Sequence, residues 1–321
     1  MSDENNISSG PEEINLGKRN AEPEAPPTVE DLDLNNLANL RAAQKKDAGL
    51  KEVVSRKYSN KTRKDSRFNF SEAELVPLPS KGNLYKNVTD DEDVLNGFIR
   101  LYPMTTKEEE ILSTQRYLRA GSSTRMILQN CIDSDIDAKD ILVFDSNFLL
   151  FYLRKISYGD EYEFEVPSTE DSFRRKFKHK IKISELRFEE LDDSIKEPIV
   201  VKLPQSKYTV ECVLPRMYHI EEIYKLNSRR EKGTEENNKR LLDNLLVTTL
   251  RVLDENKKEV PSKYWEEFFE ALVGMDIAEL RSKTKFDTGV DEIKGVTCPF
   301  TERDMDITIP MGPEFFRFWW D

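Results

Sequence analysis

The stretch Leu75–Cys131, LVPLPSKGNLYKNVTDDEDVLNGFIRLYPMTTKEEEILSTQRYLRAGSSTRMILQNC, organises the reading of this chain. Val76-Pro77-Leu78-Pro79 is extended, because a proline ring crowds the helical conformation out of the residue before it. Ser80-Lys81-Gly82-Asn83 reads as a turn. Gly97–Tyr102 reads as a strand built on Phe98, Ile99, Leu101 and Tyr102, and Pro103 ends it. Thr105 and Thr106 each stand three residues before a glutamate, Glu108 and Glu109. That capping-box pattern predicts a helix from here to about Arg119. Gly121 stops it, and Ser122 or Ser123 caps a second helix through Cys131.

Toward the N-terminus the composition changes. Residues 1–29 are rich in Glu, Asn, Ser and Pro and nearly free of apolar side chains, so they are expected to be disordered. Leu32, Leu34, Leu37 and Leu40, then Leu50, Val53 and Val54, form a weak apolar stripe at helical spacing. Leu37 and Leu40 are candidate partner contacts on that stripe. A basic run follows: Arg56, Lys57, Lys61, Arg63, Lys64 and Arg67. Residues 1–67 are therefore read as an arm, acidic then basic, with a short helix at most.

Beyond Cys131 the body continues. Phe148, Leu149, Leu150, Phe151, Leu153 and Ile156 predict a buried core helix over 147–156, with Gly159 at its C-cap. Asp137 and Asp145 read as further caps. The period then becomes two. Tyr162, Phe164 and Val166 alternate with Glu161, Glu163 and Glu165; Phe177, His179, Ile181 and Ile183 alternate with Lys178, Lys180 and Lys182. Paired antiparallel, these strands would set Glu opposite Lys on the solvent side. Ile199–Leu203 and Tyr208–Leu214 add strands. Residues 216–287 read as helical, including a leucine series, Leu241 to Leu253, and an aromatic helix after Pro261; Asp276 caps another. Short strands close the chain at Val296–Pro299 and Ile307–Pro310. The expected class is α+β: helical bundle segments with a small antiparallel sheet and a disordered N-terminal arm. The expected division is 1–67, an α+β body over 68–215, and a helical segment with C-terminal strands over 216–321.

Composition narrows the function. The chain has 321 residues, a formal net charge of −12 and 34% charged side chains, a balance that disfavours general phosphate-backbone binding. Cys131, Cys212 and Cys298 are widely spaced and odd in number, which suits a reducing cytoplasm better than a disulfide framework. No apolar run approaches the ~20 residues of a membrane helix, and no secretory leader opens the sequence. Phosphate-loop, nucleophile-elbow and His-Glu-x-x-His motifs are missing. The two histidines, His179 and His219, read as half-buried structural residues. No catalytic or cofactor residue is assigned, and an enzyme is not expected.

The last residues carry the densest apolar group: Phe315, Phe316, Phe318, Trp319 and Trp320. Exposed, they would form a partner-binding patch. Buried, they would plug the core. The sequence leaves both readings open.

Four segments, in order, carry a resemblance. They are Leu78-Pro79-Ser80-Lys81-Gly82-x-Leu84-Tyr85, Pro103-Met104-Thr105-Thr106-x-Glu108-Glu109-x-Ile111-Leu112 and Leu153-Arg154-x-Ile156-Ser157-Tyr158-Gly159-x-x-Tyr162. The fourth is Gly289-Val290-Asp291 followed by Thr297-Cys298-Pro299 and Phe315-Phe316. Together they resemble the T4-type bacteriophage baseplate hub family of hub components and hub assembly factors, over roughly residues 68–321. The resemblance implies a non-enzymatic structural or assembly role in a contractile-tail baseplate hub. The implied partners are other hub proteins, and the implied locations are the host cytoplasm during assembly and the virion tail. Relatives often carry two Cys-Pro-x-Cys pairs suggestive of a zinc knuckle. Here the first reads Val166-Pro167-Ser168-Thr169 and the second keeps only Cys298, so no zinc is expected. The alternative reading is a nucleic-acid-binding module using the basic run 56–67 and the lysine strand 176–182.

Overall fold

The computed structural model describes residues 70–168, 175–230, 240–284 and 292–316. The arm, the basic run and Phe318, Trp319 and Trp320 lie outside these residues, as do Gly289-Val290-Asp291 and residues 231–239.

The chain begins with β1 (Glu74–Pro77), which pairs antiparallel with β2 (Phe98–Leu101), Val76 opposite Ile99. Between them lie the Ser80–Asn83 turn and a short helix, α1 (Glu92–Leu95), capped by the Asp91 carboxylate. The turn requires glycine at position 82. Its φ is 76°, and a β-carbon there would meet the Val94 carbonyl oxygen at 2.3 Å. The helix expected from Thr105 to Arg119 is two: α2 (Thr106–Ser113) and α3 (Gln115–Arg119), broken at Thr114, whose backbone is extended. Gly121 then turns with φ 64° against the ring of Tyr224, where no β-carbon fits, and α4 (Ser123–Cys131) follows.

Helix α5 (Val143–Tyr158) is the predicted core helix, begun one turn earlier. It ends at Gly159, φ 94°. Strands β3 (Glu161–Pro167) and β4 (Lys176–Lys182) form the predicted antiparallel hairpin, Glu161 opposite Lys182 and Glu165 opposite Lys178. Strands β5 (Ile199–Lys202), β6 (Thr209–Cys212) and β7 (Thr249–Leu253) make a three-stranded antiparallel sheet in that order. Helices α6 (Met217–Arg230) and α7 (Arg240–Thr248) lie between β6 and β7; α8 (Trp265–Ala271) and α9 (Gly274–Thr284) follow. A hairpin of β8 (Glu292–Thr297) and β9 (Asp304–Thr308) and a 3₁₀ turn over Pro313–Phe316 end the described chain. The class is α+β, with nine helices and four small antiparallel sheets among the described residues.

One expectation needs correcting. The leucine series Leu241–Leu253 is not one helix, since its last five residues are β7. β-Branched Thr248 and Thr249 interrupt the series, and the alternation that follows lets Val252 face inward opposite Val210. One core joins β1–β4 and α2–α5 to Met217, Ile307, Ile309, Phe315 and Phe316; the other joins Val201, Val210 and Cys212 to Leu245, Val252, Trp265, Phe269 and Leu280. The chain enters the second core at β5, touches the first again at Leu214 and Met217, and returns to it with β8–β9.

Candidate functional site

Ser80, Tyr85 and Asp145 meet in one buried latch. Asp145 is fully buried inside the first turn of α5, whose N-cap is Leu142, so it is not the cap expected of it. Its Oδ1 accepts the Ser80 amide at 2.9 Å; its Oδ2 accepts the Ser80 hydroxyl at 2.5 Å and the Tyr85 hydroxyl at 2.6 Å. The Tyr85 oxygen in turn accepts the Leu142 amide at 3.0 Å. Burial pushes the Asp145 carboxyl above the usual range, and the donors from Ser80 and Tyr85 offset only part of that. Burial first and the carboxylate second push the Tyr85 phenol well up. The Ser80–Tyr85 loop is thereby fixed to the start of the core helix.

A buried cation, Arg216, joins segments distant in the chain. Arg216 donates to the carbonyls of Asp140 at 2.7 Å and Leu84 at 3.0 Å, and to Glu197 at 2.9 Å. Glu197 also accepts the Leu214 amide at 2.8 Å. His219 Nδ1 accepts the Arg216 amide at 2.9 Å, which explains a buried histidine at a helix start. Arg125 and Glu221 pair to tie α4 to α6.

The Thr105–Glu108 capping box is formed, with Glu108 Oε2 accepting the Thr105 amide at 2.8 Å and its hydroxyl at 2.7 Å. Near the end of α5, Arg154 donates to the Gly159 carbonyl at 3.0 Å, and its guanidinium lies 4.8 Å from the Tyr162 ring centroid and 5.8 Å from that of Phe315. Helix C-terminus and ring faces together favour this buried cation.

On the β3–β4 hairpin each lysine reaches a glutamate: Lys176–Glu165 at 3.1 Å, Lys178–Glu163 at 2.8 Å, Lys180–Glu161 at 2.6 Å and Lys182–Glu185 at 3.3 Å. The strand proposed to meet nucleic acid thus presents paired charges. The terminal aromatics divide. Phe315 and Phe316 are buried in the first core, Phe315 packing edge-on against Phe151 and Tyr162. Of the two readings left open, Phe315 and Phe316 take the buried one: their rings close the core. Phe318, Trp319, Trp320, Leu37 and Leu40 lie outside the described residues.

The T4 bacteriophage base plate protein family model matches residues 73–317, the whole length over which these networks are built. The chain belongs to the T4 bacteriophage base plate protein family. No curated protein and no solved structure matches it. Membership makes it a bacteriophage baseplate protein and assigns it to the virion tail. No helix among the described residues is long and apolar enough to cross a membrane.

The zinc knuckle implied for relatives can be tested against the side chains of this family member. The two segments do meet: the Cys298 thiol donates to the Ser168 hydroxyl at 3.2 Å. Val166, however, is buried against the core, and Ser168 offers only a hydroxyl. Among the described residues no three His, Cys, Asp or Glu side chains are grouped to hold a metal ion. One thiol and a hydroxyl do not fit zinc, which takes four N or S ligands in structural sites. The hairpins are joined instead by that hydrogen bond and by Phe300, whose ring centroid lies 4.2 Å from the Arg175 guanidinium carbon and 6.3 Å from the Phe177 centroid. Sequence reasoning missed the latch and the Arg216 junction. The only available signal was polar residues, Asp145 and Arg216, beside strongly apolar runs.

Proposed function

We propose that this baseplate protein is a non-enzymatic component or assembly factor of the contractile-tail baseplate hub, acting through protein–protein contacts. The observation that carries the reading is the family match over 73–317 on a body whose motif residues serve internal packing. Ser80, Tyr85, Asp145 and Glu108 are buried and bonded to neighbouring chain, which is scaffold chemistry. Its partners are other hub proteins, met in the host cytoplasm during assembly. Phe318, Trp319 and Trp320, with Leu37 and Leu40, are the proposed contact residues.

The test is co-purification of tagged protein with baseplate proteins from infected cells. The expected result is recovery of hub subunits by the wild type and their loss with Phe318→Ala and Trp319→Ala together, at unchanged thermal stability. Recovery of no baseplate protein by the wild type would overturn the reading.

A further inference from the structure

We propose that the outer edge of β5 pairs antiparallel with β5 of a second copy of this chain, joining two three-stranded sheets across a two-fold axis at Val201. An open sheet edge invites another strand, and folds close such edges in recognisable ways. β1 ends on Pro77, which has no N–H to offer. Beside β2, the Tyr102 amide donates to the Cys131 carbonyl at 2.8 Å and the Asp133 amide to the Arg100 carbonyl at 2.9 Å. Beside β7, the Val260 amide donates to the Val252 carbonyl at 2.8 Å. β5 lies at the other end of that last sheet. The Leu203 amide donates to the Tyr208 carbonyl at 2.8 Å, so in the alternation of the ladder Ile199 and Val201 also bond toward β6. Val200 and Lys202 therefore turn their amides and carbonyls away from it. Among the described residues nothing bonds to those groups, and Val200 is 53% exposed.

The segment itself argues for a second copy as the occupant. Pro198-Ile199-Val200-Val201-Lys202-Leu203-Pro204 is nearly symmetric about Val201, with Ile199 matched by Leu203 and proline at each end. Antiparallel pairing centred on Val201 sets Val200 opposite Lys202 of the second copy, the register in which both exchange their outward amides and carbonyls. The prolines, lacking N–H, end the ladder at the same distance on either side. Charge fits that register. Val200 stands opposite Glu211, and Glu211 opposite Arg251, whose guanidinium meets its carboxylate at 2.7 Å. Neighbouring strands lie about 4.8 Å apart, so the stem of the incoming Lys202 covers exposed Val200 and carries its ammonium toward Glu211. One carboxylate then lies between two cations. On the opposite face Val201 meets its own copy, and the buried row of Val201, Val210 and Val252 continues across the axis. Such an interface is isologous and closes at two copies.

The experiment uses the purified full chain alone, so its outcome does not depend on any hub partner. Val200→Cys and Lys202→Cys proteins are prepared separately, then oxidised singly and as a mixture; the native cysteines, Cys131, Cys212 and Cys298, are buried. The expected result is a disulfide-linked dimer from the mixture at about threefold or more the yield of either variant alone, because position 200 faces position 202 across the axis. Val200→Pro keeps the hydrogen bonds to β6, since the amide it removes points outward. It should weaken self-association in sedimentation velocity by about tenfold or more, with an unchanged circular dichroism spectrum, because a donor is lost from each copy. A wild-type chain that stays monomeric at every concentration, no dimer from the mixture, or equal crosslinking from the mixture and the single variants would overturn the proposal.

Discussion

The Asp145 carboxylate accepts the Tyr85 hydroxyl at 2.6 Å across sixty residues of chain, wholly inside the first core. Removing the carboxylate strands two hydroxyls and an amide in an apolar setting. Asp145→Ala should therefore cost about 3 kcal/mol or more, and Tyr85→Phe about 1–2 kcal/mol. A double-mutant cycle by urea unfolding should give a coupling of about 1–3 kcal/mol. Independent, additive losses would show that the two groups do not form a unit.

The same carboxyl sets a pH dependence. Its folded-state pKa is raised by burial, so its contribution is complete below the unfolded value, near 3.9, and declines as pH rises through the folded value. Asp145→Asn cannot ionise and shows no such decline. The stability difference, wild type minus Asp145→Asn, should thus be largest at about pH 4 and fall toward neutrality in denaturant titrations. A difference that rises with pH would mean that the hydrogen bonds outweigh the burial.

Arg216 should matter more than its single ion pair suggests. Arg216→Met removes donors to Asp140, Leu84 and Glu197 and leaves Glu197 half-buried without its cation. A loss of about 3–5 kcal/mol is expected, measured as a lowered unfolding midpoint. The β4 lysines are the contrast. Exposed pairs contribute little, so Lys178→Ala with Lys180→Ala should change stability by less than about 1–2 kcal/mol and leave retention on a DNA column unchanged at any salt concentration.

Phe315→Ala should cost about 3–5 kcal/mol, the usual loss for emptying a buried aromatic site. Circular dichroism melts of this variant beside Trp319→Ala separate plug from contact. Equal stability of the Phe315→Ala variant and the wild type would contradict the core position.

Those predictions also show what was legible. The β3–β4 hairpin could be read directly, because period two and opposite charge on facing strands leave one arrangement that satisfies both. The capping box at Thr105 was legible because its partners are three residues apart. Asp145 was not. Its partners lie sixty and sixty-five residues away, and a lone carboxylate before an apolar run looks the same whether it caps a helix or latches a loop. β7 was hidden by leucines that kept helical spacing into a strand, and only tertiary pairing with β6 decides there. The open edge of β5 was equally hidden, because which strand ends a sheet depends on the rest of the fold.

The claim that this chain builds the baseplate through protein contacts is tested most directly by mass spectrometry of baseplate subassemblies isolated from infected cells. The account predicts the chain in hub-containing fractions, in a fixed ratio to hub subunits. Its absence from every baseplate fraction, with the protein recovered only free, would contradict it.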